Sequence, residues 1–234
     1  MRWSGADDGA IFLDTITPVL RLFTGSLSTT SKRRFCRRGR AAEVAPSSKA
    51  PNYIEIGTMN SAFGGTFTSR LNMNLREDKH WAYGAGSFLG SAFGPRLFTL
   101  YAPVQTDKTK ESVQEMVKEL HDVVDKRPIT AEEIAKVKAN DVRKLPGRYE
   151  TAGAVLGALT DIVLYGRPDD YVQTLKQRVE GQSDDAVRAA AREVIHPEGF
   201  TWVIVGDLGK IEAGIRALNL GEVQVIDAEG KVLR

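Results

Sequence analysis

The chain is 234 residues long, 42% hydrophobic and 26% charged, with a formal net charge of +2. This is ordinary globular composition, enough for one sizeable domain or two small ones. A lone cysteine, Cys36, excludes an intrachain disulfide and leaves the redox compartment open, and no internal repeat is present.

The small net charge hides an asymmetry: residues 1–50 hold nine Lys or Arg against four Asp or Glu, whereas the rest holds 23 against 26. Six of the nine lie in residues 31–40, SKRRFCRRGR. Such a run can serve nucleic acid, acidic lipid or targeting, but a short basic run is more often a solvated tail, and no aromatic-rich reader surface accompanies Lys32 to Arg40. Nucleic acid is therefore disfavoured as a partner; a role for this tail in binding it requires an affinity that falls steeply with salt. Residues 10–23 (AIFLDTITPVLRLF) are too short to span a bilayer and are broken by Asp14, Pro18 and Arg21, while Asp7 and Asp8 spoil a basic leader. No membrane span and no convincing signal peptide follow. The three aspartates also argue against a mitochondrial presequence, so the compartment stays unassigned.

Residues 53–63 carry Ile54, Ile56, Met59 and Phe63 in a helical pattern that Gly64 and Gly65 stop, where a left-handed cap has no steric cost. Phe67, Leu71 and Leu75 then recur every four residues against Arg70, Asn72, Asn74, Glu77 and Asp78, which predicts a second, amphipathic helix beyond a glycine elbow. The aromatic and β-favouring residues of 81–89 and 96–104 (RLFTLYAPV), around a turn at 91–95, predict a hairpin. Arg76 thus falls in the last turn of a helix and Tyr83, seven residues on, at the start of a strand, where both can face one cleft.

Residues 107–126 place Val113, Met116, Val117, Leu120, Val123 and Val124 on one stripe that ends before Pro128. TAEE at 130–133 is a capping box opening a helix with Ile134, Val137 and Val142, up to Pro146. A third helix runs to Tyr165 and stops at Gly166, a fourth carries Tyr171, Val172, Leu175 and Val179, and Ser183 with Asp184 and Asp185 caps a fifth. Residues 200–205 (FTWVIV) read as a buried strand, 208–218 as a helix and 223–226 as a last short strand. Helices gathered between strands, without strict βαβ alternation, predict an α+β fold with helices packed on a mainly antiparallel or mixed sheet.

Gly84, Gly86 and Gly90 (GAGSFLG) miss the G-x-G-x-x-G spacing and open no helix, so close backbone contact explains them better than a dinucleotide site. The histidines are His80, His121 and His196; no two share ligand spacing and an H-x-x-E-H helix cannot be built, so no metal site is assigned. Glu132, Glu133, Asp169 and Asp170 start helices, where the macrodipole favours carboxylates. No Ser/His/Asp arrangement can be assigned. Arg76 at a helix end and Tyr83 opening a strand are, taken alone, equally ordinary.

The order of residue types across 63–87 (FGGTFTSRLNMNLREDKHWAYGAGS), a double glycine, then SRL, LRE and AYG, closely resembles the C-terminal, noncatalytic domain of the pitrilysin/insulinase-type zinc metallopeptidases, the inverzincins of signature H-x-x-E-H. The likeness covers roughly residues 51–220 through the order of hairpin, long helices, strand and final helix. It implies paired domains of similar fold, on one chain or two subunits, enclosing a chamber for unfolded peptides; one half carries zinc and the other supplies an arginine and a tyrosine. By position these are Arg76, a substrate clamp suited by its planar fork, and Tyr83, a carbonyl or oxyanion donor acting in trans, with Gly64 and Gly65 as hinge or cap. Zinc is then expected in an H-x-x-E-H partner domain or subunit and no cofactor in this chain, which alone is expected to be inactive.

The family often has glycine where His80 stands, a departure that leaves the Arg-to-Tyr spacing intact. The resembled domain also opens with strands of the same sheet, and the first fifty residues show no such alternation. Residues 1–48 therefore read as a basic, disordered or foreign leader and residues 49–234 as one noncatalytic domain lacking its opening strands, with a bare sheet edge. Relatives of this fold also serve as noncatalytic structural core subunits of a respiratory membrane complex, the alternative reading, in which the domain only offers surface.

Overall fold

The computed structural model describes residues 19–24, 38–227 and 230–234. Strands β1 (Val19–Thr24) and β2 (Arg38–Ala45) come first; α1 (Tyr53–Asn60), a π-helical turn (Ser61–Gly65), the short α2 (Arg70–Asn72) and a π-helical continuation (Met73–Asp78) follow. Then come β3 (Gly86–Leu89), β4 (Arg96–Ala102), α3 (Thr109–Val124), α4 (Ala131–Lys144), α5 (Ala152–Tyr165), α6 (Tyr171–Glu180), α7 (Asp184–Val194), β5 (Thr201–Gly206), α8 (Leu208–Arg216) and β6 (Glu222–Ile226). The six strands form one sheet in the order β3-β4-β2-β5-β1-β6. β2 runs antiparallel to β4 and β5, and β1 runs parallel to β5 and β6, so the sheet is mixed. The α+β expectation holds.

Two strands thus precede α1, and the sheet does not lack its opening strands as the sequence suggested. Both lie inside the stretch read as a leader; residues 1–18 and 25–37, with Lys32 and Cys36, lie outside the described residues. The pattern is faint for a physical reason. β2 (RGRAAEVA) is held by backbone bonding on both sides, Ala41 standing opposite Leu100 and Trp202, and its alanines and glycine give little hydropathy alternation to read.

The core lies on one sheet face. Phe98, Leu100 and Ala102 of β4 with Trp202 and Ile204 of β5 are buried among Ile56 and Met59 of α1, Met116 and Leu120 of α3, and Val187 and Val194 of α7. Phe63, Phe98, Phe200 and Trp202 form a row of ring contacts, with successive centroids 6.2, 6.1 and 6.5 Å apart. Alternate residues of β4, Leu97 and Tyr101, are exposed together with Val44 and Phe88. A smaller cluster of Tyr171, Leu175 and Val179 packs with Tyr53, Val142 and Ile162. α5 leaves Leu156, Leu159 and Val163 exposed and ends, as expected, at a left-handed Gly166, φ 63°.

The glycine elbow works differently from the expectation. Neither Gly64 nor Gly65 has a positive φ, so there is no left-handed cap; the helix runs through them as a π-helical turn. What Gly64 permits is the passage of β3: a Cβ there would lie 2.5 Å from the Ser87 backbone nitrogen. Gly86 repeats the constraint from the strand, since its Cβ would lie 2.7 Å from the Gly64 carbonyl oxygen. Of Gly84, Gly86 and Gly90, it is Gly86, inside β3, that serves close backbone contact.

Arg70, buried at the start of α2, forks onto Glu133, with Nε donating to Oε1 and Nη2 to Oε2 at 2.6 Å each, and Nη2 also donates to the Pro128 carbonyl at 2.7 Å. The capping box is formed: Glu133 accepts from the Thr130 backbone N–H at 2.8 Å and the Thr130 hydroxyl accepts from the Glu133 N–H at 3.2 Å. Burial pushes the Glu133 carboxyl up, but the Arg70 fork and the Thr130 N–H outweigh it and hold the group below its ordinary range.

Gly64→Ala is expected to lower unfolding free energy by about 1–3 kcal/mol, whereas Gly57→Ala, in α1 with nothing within 4 Å of the added Cβ, should raise it by about 0.5–1 kcal/mol; urea titration measures both. Because the folded pKa of Glu133 is depressed, its stabilisation is present above the ordinary carboxylate pKa of about 4.3 and is lost as pH falls through the folded value. Glu133→Gln should therefore flatten the acid limb of a stability-versus-pH curve.

Candidate functional site

The site is built on α2 and its π-helical continuation. Leu71 and Leu75 are fully buried and fix this stretch to the core. On its other side Asn74 Nδ2 donates to Glu115 (3.0 Å) and Glu119 (2.8 Å) of α3, and Arg127 Nη2 donates to both Glu119 carboxylate oxygens at 2.5 Å. At the helix end the Leu75 carbonyl accepts from the N–H groups of Trp81 and Ala82, at 3.0 and 3.2 Å. His80 makes this turn with φ 57°, the left-handed region that favours glycine, and its Nδ1–H donates to the Arg76 carbonyl at 3.1 Å. The glycine usual at this position in the resembled family has its explanation in that φ.

Asn72, buried, joins the loops on either side. Its Nδ2 donates to the Phe67 carbonyl at 2.6 Å, and its Oδ1 accepts from the Ala85 N–H at 3.0 Å. Phe67 and Tyr83 are thereby brought to the same guanidinium: the central carbon of Arg76 is 4.6 Å from the Phe67 ring centroid and 5.6 Å from that of Tyr83. Tyr83 is 79% exposed and Phe67 60% exposed, so the cluster is a surface feature. Arg76 Nε lies 3.2 Å from Glu77 Oε1.

Arg76 and Tyr83 therefore stand side by side, facing solvent. Two details differ from the sequence reading. Tyr83 sits in a bend after the isolated Ala82–Val104 bridge, ahead of β3 rather than in a strand. Phe67 precedes α2 and is no part of its buried stripe, because the backbone at Ser69 is still extended (φ −74°, ψ 160°). Gly64 and Gly65 lie behind the cluster in the packed elbow. The residues missed were Phe67, as a ring on Arg76, and Asn72, which sits at the margin of the Leu71–Leu75 stripe; that marginal position was its one sequence signal.

Among the described residues no group of three or more His, Cys, Asp or Glu converges as a metal site. His121 Nε2 lies 3.3 Å from Glu198, and His80 is used on the Arg76 carbonyl. These residues do not fit a zinc centre. Nor, among the described residues, is any helix long and apolar enough to cross a membrane.

Residues 38–140 match the peptidase M16 inactive domain. Over 144 residues the chain is 28% identical to an uncharacterized zinc protease of Streptomyces coelicolor, which covers 60% of this chain and 30% of that protein. The solved peptidase M16 inactive domain from Pseudomonas fluorescens superimposes with a TM-score of 0.67 at 18% identity, over 81% of this chain and 43% of that one. A chain of complex III2 from Candida albicans does so with a TM-score of 0.62 at 13% identity, over 78% and 46%. The chain thus spans less than half the length of each of these relatives. With the motif run of residues 63–87 lying inside the matched segment, the resemblance to the noncatalytic domain of the pitrilysin/insulinase-type zinc metallopeptidases is borne out.

Proposed function

We propose that this domain is the substrate-binding half of a zinc metallopeptidase, holding unfolded peptide for a zinc-bearing partner domain or subunit. The observation that carries the reading is the exposed Arg76–Tyr83 pair, fixed by a buried amide rather than left to fluctuate. Zinc is the partner's, in an H-x-x-E-H site, as the likeness to the Streptomyces coelicolor zinc protease supports.

This chain's own contribution is electrostatic. Peptide hydrolysis develops negative charge on the scissile carbonyl oxygen, and a donor already aimed at that position stabilises the transition state more than the ground state. The Tyr83 hydroxyl is such a donor, on a ring that reaches outward. The Arg76 guanidinium lies near two rings, which limits its swing while leaving N–H groups for a substrate carbonyl or carboxylate. A structural role without substrate is the second reading, favoured by the fold shared with the complex III2 chain. Co-purification with membrane subunits would support it; cleavage restored by a zinc-bearing half would not.

The chain alone should bind no stoichiometric zinc by elemental analysis and cleave no unfolded reporter peptide, and adding its cognate zinc half should restore cleavage. In that reconstituted enzyme Tyr83→Phe should lower kcat by about 100-fold with KM changed by no more than about twofold; an unchanged kcat would remove Tyr83 from the mechanism. Asn72→Ala strands the Ala85 N–H and the Phe67 carbonyl. It should cost about 2–4 kcal/mol in urea unfolding and lower kcat/KM without touching the reacting groups.

A further inference from the structure

At the far end of β4 from Tyr83, where β4 begins and α5 gives way to α6, stand two arginines, Arg96 and Arg167; the carboxylate that acts on Arg167 is that of Asp161. Arg96, the first residue of β4, is 8% exposed; its Nε donates to the Pro46 carbonyl at 2.7 Å, while its buried Nη2 has no hydrogen-bond partner. Arg167 follows the left-handed Gly166, and its guanidinium carbon lies 3.9 Å from the ring centroid of Tyr53, 4.6 Å from Tyr171 and 5.3 Å from Tyr165. Burial lowers the Arg167 pKa, but a hydrogen bond to the Tyr53 hydroxyl, with Tyr171 and Asp161 nearby, holds it above its ordinary value; its buried Nε still lacks a partner.

A buried guanidinium nitrogen is ordinarily paired, and the cost of leaving one unpaired beside a second cation falls on Arg96. Burial holds Arg96 below its ordinary pKa; Tyr53 and Tyr165 oppose that, and Arg167 adds to it. The Tyr171 hydroxyl donates to the Tyr53 hydroxyl at 3.0 Å, which leaves the Tyr53 proton to be given elsewhere. Tyr53 and Arg167 are half-buried, so the corner opens to solvent beside them, with Arg96 as its inner wall.

We propose that Arg96, Arg167 and Tyr53 form a receptor for one oxyanion, a carboxylate or a phosphate group. The planar forks supply paired N–H donors and the phenol a third, the donor set such a group accepts. Seven residues of extended strand, about 20 Å, separate this corner from the Arg76–Tyr83 end of the hairpin, so the site stands independently of the peptidase reading. The anion can be free phosphate or a carboxylate on a polypeptide, for which the exposed Leu159 and Val163 of α5 offer apolar surface just before the corner.

The test is calorimetric titration of the full chain with inorganic phosphate, and separately with acetyl-Leu-Leu-Glu-amide against acetyl-Leu-Leu-Gln-amide. One probe should bind saturably at one equivalent; stronger phosphate binding assigns a free anion, and stronger Glu-peptide binding with none for the Gln peptide assigns a polypeptide carboxylate. Arg167→Leu should weaken that binding by at least about tenfold, and Tyr53→Phe, which keeps the ring, should weaken it less. Arg96 is too buried for its loss to be read cleanly, so circular dichroism and the Tm of Arg167→Leu and Arg167→Lys verify folding. No saturable binding of either probe, or binding untouched in folded Arg167→Leu, would overturn the assignment.

Discussion

A single buried carboxamide decides whether the two exposed aromatic side chains meet the same guanidinium. Asn72 uses its donor toward the segment before α2 and its acceptor toward the segment after the π-helical turn. An aspartate could accept from Ala85 but could not donate to the Phe67 carbonyl; a leucine could do neither. An amide of this length satisfies both backbone groups at once, and because it is buried each group would otherwise lose its solvation without replacement. The loops are therefore held to a helix that is itself pinned by Leu71 and Leu75, and the half-buried Arg76 has a defined position beside two exposed rings.

The same economy of space governs the ground beneath the site. Gly64 and Gly86 bring a helical turn and a strand to a distance that no side chain tolerates, which sets β3 directly against the elbow leading into α2. Phe63, adjacent to that contact, starts the row of rings that runs through Phe98 to Phe200 and Trp202 across the sheet. Displacement at the elbow is thus resisted by a row of buried rings. The surface pair inherits that rigidity without contributing to the core.

Much of this was legible in the residues. α3, α4, α6 and α7 announce themselves by apolar stripes, and α4 and α7 also by side-chain caps, the Thr130–Glu133 box above all. β2 was not legible, because an interior strand of small residues is specified by its neighbours' hydrogen bonds rather than by its own alternation. Phe67 misled for the opposite reason: it continues a four-residue spacing perfectly, but the helix begins only at Arg70. The proximity of Arg76 and Tyr83 was implied by family resemblance alone, since a separation of seven residues across a turn fixes no distance. His80 was noticed as a departure from the usual glycine, and its positive φ gives that departure a physical meaning.

The sheet order carries a consequence for how the protein is made. β1 has both its neighbours, β5 and β6, beyond residue 200, and β2 has one of its two there. On the ribosome β1 must stay unpaired, and β2 paired on one side at most, while the helical middle is synthesised, and loop closure over such separations is slow. The helices and the β3–β4 hairpin can form cotranslationally; the sheet cannot close until residues 201–226 have emerged. Nascent-chain protection by chaperones is thus a demand written into the topology.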